Sequence, residues 1–159
     1  MEELATTVET VKSKLTEPAL VFPLVTDIHY LSGGKTNFKN TFDNCIDNIK
    51  AFCKEVKCDF IANLGDNTDG NVTQDITLKR NNYMMKRFLE INLPYFFAVG
   101  NHDTNYQYTN GNFDEPQTFM SYLSSTHGVT FDTTDNENNY YKDFDELGIR
   151  VIFLDANYL

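Results

Sequence analysis

Apolar positions along the chain follow two different rhythms. Over residues 2–16, Leu4, Val8, Val11 and Leu15 recur at intervals of four, three and four, a helical stripe that Pro18 ends. This segment, 1–17, is expected to dock as an amphipathic helix on a domain running from 18 to 159, with a partner-binding helix as the alternative. From about 37 to 56, Phe38, Phe42, Cys45, Ile46, Ile49, Phe52, Cys53 and Val56 form a wide apolar face with the same period. A third helix is predicted near 74–91, turning Tyr83, Met84, Phe88 and Leu89 inward. Between the helices lie apolar runs at about 20–26, 58–64 and 94–99. The nearly continuous run 58–64 reads as a central strand buried on both faces. The order β-α-β-α-β, with connections of crossover length, predicts an α/β fold with a mostly parallel sheet and flanking helices.

Past residue 104 the rhythm weakens. Residues 104–115 are polar and read as an exposed loop at the rim of the sheet; Glu115 to Ser125 reads as a helix with His127 capping its end. Asp135 to Asn139 is a polar turn, and Tyr140–Phe144 with Gly148–Leu154 predicts a C-terminal β-hairpin.

At 159 residues the chain is long enough for one domain with a substantial core, and 41% hydrophobic with 23% charged residues is ordinary globular composition. The net charge of −10 argues against a broad electrostatic grip on nucleic acid. It leaves a phosphate substrate open, because bound divalent cations reverse the local field. Met1-Glu2-Glu3 lacks the features of a secretion signal, and no apolar run approaches a membrane span. Cys45, Cys53 and Cys58 include no C-x-x-C pair; Cys45 and Cys53, on the apolar face of the second helix, are expected to be buried and reduced. These features together point to a cytoplasmic protein without a membrane partner.

Each apolar strand runs into ligand-type residues. The first ends in Asp27-Ile28-His29, the second in Gly65-Asp66-Asn67-Thr68-Asp69, the third in Gly100-Asn101-His102-Asp103. In open α/β sheets, ligands gather beyond the carboxyl ends of the strands. A glycine at such an end lets backbone approach closely or adopt positive φ. Mixed carboxylate, amide and imidazole donors suit Mn, Fe or Zn better than Ca. Singly, each motif is matched by a bland alternative: a chance Asp-x-His, a capped turn, a plain loop. Their shared position after three successive strands sets the combination apart. Ser32-Gly33-Gly34-Lys35-Thr36 is not a phosphate-binding P-loop, since the required glycine five positions before Gly34 is His29. Lys35 nonetheless lies near enough to the first ligand pair to meet a substrate phosphate.

The three motifs, D-x-H, G-D-x-x-D and G-N-H-[DE], in this order resemble those of the calcineurin-like metallophosphoesterase family. The resemblance spans about residues 20–155 and implies the first half of that family's αββα sandwich. It implies Asp27, His29 and Asp66 as ligands of a first metal, with Asp66 bridging to a second that Asn101 also binds. It implies His102 as the group that protonates the leaving oxygen or steadies the phosphoryl, with Asp69 as its orienting carboxylate; Asp103 shapes the loop. The implied activity is hydrolysis of a phosphomonoester or phosphodiester by metal-activated hydroxide, dinuclear in a complete domain. The chain has only three histidines, His29, His102 and His127. It therefore lacks the further histidines of the family's second half, including its G-H-x-H motif. The chain is accordingly expected to be the N-terminal half of a catalytic domain, partnered by the missing half or by a second copy. The alternative is a non-catalytic, degenerate module acting in metal or protein binding.

Overall fold

The computed structural model describes residues 2–31, 38–105, 130–131 and 138–155. Three strands, β1 (Leu24–Val25), β2 (Ile61–Asn63) and β3 (Tyr95–Phe97), form a parallel sheet in the order β1-β2-β3. Its connections carry α2 (Phe38–Val56) and α3 (Gln74–Leu89), while α1 (Glu2–Lys12) precedes the sheet. A second, antiparallel sheet joins β4 (Thr130–Phe131), β5 (Tyr140–Phe144) and β6 (Ile149–Phe153) in that order. The architecture is the α/β fold with a parallel sheet, flanking helices and a C-terminal hairpin that the periodicity predicts.

The central strand is buried along its whole length, with Ile61, Ala62 and Asn63 at 0, 2 and 0% exposure. Around it pack Phe60, Phe88, Phe96 and Phe97, each at most 1% exposed. Burial of side chains this large supplies about 2–3 kcal/mol each and dominates the cohesion of the domain. The second sheet closes on the first through aromatic contacts, with Phe60 stacked on Phe144 at 5.4 Å and Phe96 against Phe153 at 5.5 Å. Phe97 points its N–H and C=O away from β2, and the Tyr140 hydroxyl takes both: it accepts from Phe97 N at 2.7 Å and donates to Phe97 O at 2.7 Å. One buried hydroxyl thus closes the outer edge of β3. The hairpin turns through a short 3-10 helix, Asp145–Leu147, and Gly148 at φ 64°.

Several expectations need correction. The first strand is shorter than 20–26 because Pro23 has no N–H; its carbonyl still accepts from Ala62 N at 3.1 Å, and upstream Val21 pairs with Asp59 instead. Helix α1 ends at Lys12 rather than 16, where Lys14 N reaches back only three residues to Val11 O and tightens the turn. In α3 the inward stripe runs Thr77, Asn81, Met84, Met85 and Phe88, which leaves Leu89 43% exposed. Cys45 is exposed, not buried. It falls at the border of the α2 stripe, where it lines a shallow apolar groove with Leu4, Ile49 and Phe52. Cys53 is buried as expected. The predicted 115–125 helix, His127, Lys35, most of the 104–115 loop and the side chain of Phe38 lie outside the described residues.

Candidate metal centre

The parallel ladder does not stop where the strands do. Beyond β1 and β2, Asp27 N donates to Gly65 O at 3.1 Å, His29 N to Asp66 O at 3.0 Å and Tyr30 N to Asn67 O at 2.8 Å. The two loops therefore leave the sheet as a bonded pair, and each must bend sharply to raise its side chains. Asp27, His29 and Asp66 all adopt left-handed backbone, at φ 53, 45 and 55°, next to Gly65 at 89°. Positive φ at non-glycine residues is strained and persists where the surroundings over-determine it. The third loop touches the second at its glycine: a Cβ on Gly100 would sit 2.3 Å from Asp66 Oδ1, and one on Gly65 would sit 2.2 Å from Gly100 N. Both positions need glycine for contact between the loops, as the strand-end reading of Gly100 anticipates.

Asp103 ties these loops together. It is fully buried, and its carboxylate accepts from Asp66 N, Asn67 N and Gly100 N, each at 2.9 Å. Burial pushes its carboxyl up to about 6, against the pull of those three N–H groups. Holding three N–H groups from two loops, it shapes the site from beneath.

Above this clamp the imidazoles and carboxylates converge. His29, Asp66 and His102 each offer a ligand atom, and these atoms lie within 4.8 Å of one another. The two imidazole rings meet edge to face at 4.8 Å. His29 Nδ1 lies 3.0 Å from Asp69 Oδ1. A carboxylate oxygen accepts, so Nδ1 is the donor of this bond, and in the neutral ring the lone pair is then on Nε2. That Nε2 lies 3.8 Å from Asp27 Oδ1. Asp27 is largely exposed, and its other oxygen accepts from Thr26 Oγ1 at 2.6 Å. Asp66 Oδ1 accepts from His102 N at 3.0 Å.

The structure brings Asp27, His29, Asp66, Asp69 and His102 into one cluster. Asn101 stands at the head of the third turn with its side chain exposed, and its carbonyl accepts from Thr104 Oγ1 at 3.0 Å. Asp69 differs from its expected placement: its carboxylate faces His29, and His102 Nδ1 instead meets the main-chain carbonyl of Asp69 at 2.8 Å. None of the three motifs includes Asn63, whose only signal in the sequence is polarity inside an apolar strand. Nitrogen and carboxylate donors in this proximity fit a borderline divalent cation. The pairing of Asp69 with His29 matches the carboxylate–histidine arrangement that orients metal-ligating imidazoles.

A sequence model described as calcineurin-like phosphoesterase matches residues 22–157. No curated protein is similar enough to the chain to mark a relative.

Proposed function

The chain belongs to the calcineurin-like phosphoesterase family, a family of metal-dependent hydrolases, and we propose that it serves the hydrolysis of a phosphomonoester or phosphodiester. The observation that carries this reading is the convergence of His29, Asp66 and His102 within 4.8 Å at the carboxyl ends of parallel strands. Asp27, His29 and Asp66 would hold a first divalent cation, with manganese as the proposed ion. Asp66 and Asn101 would hold a second. A cation held there supplies Lewis acidity toward the phosphoryl oxygens and brings the pKa of water toward neutrality.

The remaining work falls to the side chains. Asp69 fixes His29 in the tautomer that presents Nε2. His102 keeps its Nδ1 proton on the Asp69 carbonyl, so the proton it gives to the leaving oxygen is the one on Nε2. Among the described residues no helix is long and apolar enough to cross a membrane. A second reading, a metal- or protein-binding module without turnover, is favoured by the exposed apolar side chains of Leu24, Ile152 and Leu154, each more than half accessible (57, 60 and 56%).

The test is hydrolysis of p-nitrophenyl phosphate and bis-p-nitrophenyl phosphate by manganese-loaded protein. The proposal expects turnover that a chelator and Asp66→Asn both abolish. Turnover indifferent to both, or manganese retained with no turnover of either ester, contradicts it; the second result selects the binding module.

A further inference from the structure

Asn63 is the one polar residue of β2, fully buried and in register with Val25 on one side and Phe97 on the other. An amide at the centre of an apolar sheet is costly unless its donors and acceptor find partners. Here all do. Oδ1 accepts from Gly65 N at 2.8 Å; Nδ2 donates to Asn67 Oδ1 at 2.8 Å and to the Tyr95 hydroxyl at 2.7 Å. Asn67 and Tyr95 are themselves 1% exposed. Tyr95 opens β3, so its hydroxyl anchors the amide to the neighbouring strand.

What the amide holds is the left-handed turn through Gly65 and Asp66, at φ 89 and 55°. Left-handed backbone is strained for a non-glycine residue, so the turn needs restraint from its surroundings. Asp103 supplies it at Asp66 N and Asn67 N; Asn63 supplies it at Gly65 N and at the Asn67 side chain. We propose that Asn63, anchored by Tyr95, is a positioning residue that sets this turn so that Asp66 is presented beside His29 and His102. The inference rests on the metal reading above.

The test compares Asn63→Ala and Tyr95→Phe with Ile46→Ala, a core truncation on α2 that takes part in none of these hydrogen bonds. Each protein is melted without metal and titrated with Mn2+ alone, followed by electron paramagnetic resonance. The expected result is manganese affinity reduced about tenfold or more in the first two, as for lost outer-shell partners, and unchanged in Ile46→Ala at an equal or larger drop in melting temperature. Affinity unchanged in Tyr95→Phe, or falling in step with stability in all three, overturns the positioning role and reduces Asn63 to a core amide. Tyr95→Phe removes a single oxygen and carries the test should Asn63→Ala fail to fold. Wild-type protein that takes up no manganese contradicts the metal reading and the positioning role together.

Discussion

The carboxylate of Asp69 stands 3.0 Å from His29 Nδ1, across the gap between the loops that follow the first and second strands. The same residue reaches His102 through its main-chain carbonyl, at 2.8 Å. One residue thus sets the tautomers of both imidazoles, by two different atoms.

A substitution at Asp69 should separate these two jobs. Asp69→Ala leaves the carbonyl in place, so His102 keeps its partner while His29 loses its own. The expected outcome is manganese affinity weakened about 10–100-fold, measured by titration, with the His102 ring resonances near their wild-type positions in the metal-free protein.

Two glycines provide a paired test of contact against conformation. At Gly100 a Cβ would strike Asp66 Oδ1 at 2.3 Å, so Gly100→Ala must push Asp66 aside. Stability is expected to fall by about 1–3 kcal/mol, and manganese binding with it. At Gly148 nothing lies within 4 Å, but φ is 64°. Gly148→Ala should cost about 1–2 kcal/mol from backbone strain alone and leave metal binding unchanged. Urea unfolding and manganese titration of both variants check this.

Acid should unfold the α2–α3 packing by a different group. Burial alone would raise the Asp43 carboxyl, but hydrogen bonds from Lys39 at 2.7 Å, Tyr83 at 2.5 Å and Arg87 at 3.0 Å hold it below its ordinary value. A carboxyl depressed in the folded state contributes stability that is present above its unfolded pKa, about 4, and is lost as pH falls through the folded value. Urea midpoints should therefore drop between pH 5 and pH 3 more steeply in wild type than in Asp43→Asn. Equal slopes would contradict the assignment.

His102 is both a potential ligand, by its distance to His29 and Asp66, and the proposed proton donor. His102→Gln distinguishes the two. The proton-donor role expects manganese retained within a few-fold and turnover reduced by about 10²–10⁴, most for esters with poor leaving groups. Manganese lost with the imidazole would make His102 a ligand instead.

Much of this was legible in the residues. Nearly continuous apolar runs of strand length between helical stripes leave little choice but a parallel sheet, and ligand types directly after them fall at its carboxyl edge. What escaped depended on conformation that residue types do not report. Whether Asp69 faces His29 or His102 turns on left-handed backbone at His29 and Asp66, which a motif does not encode. The helical stripe of α3 is off by one position at Leu89 and Met85, since an inward face more than one residue wide has no sharp border. Cys45 sits on such a border as well. Asn63 looks like an interruption of β2 until its partners, Tyr95 from another strand and Gly65 two residues on, are placed around it.

Whether the three strand ends form one cation site is decided by manganese uptake. Wild-type protein loaded with Mn2+ and desalted should retain at least one ion per chain, and Asp66→Asn, with its fold intact by circular dichroism, should retain none. No retained manganese in wild type, or equal retention in the variant, would rule out a cation site at these strand ends.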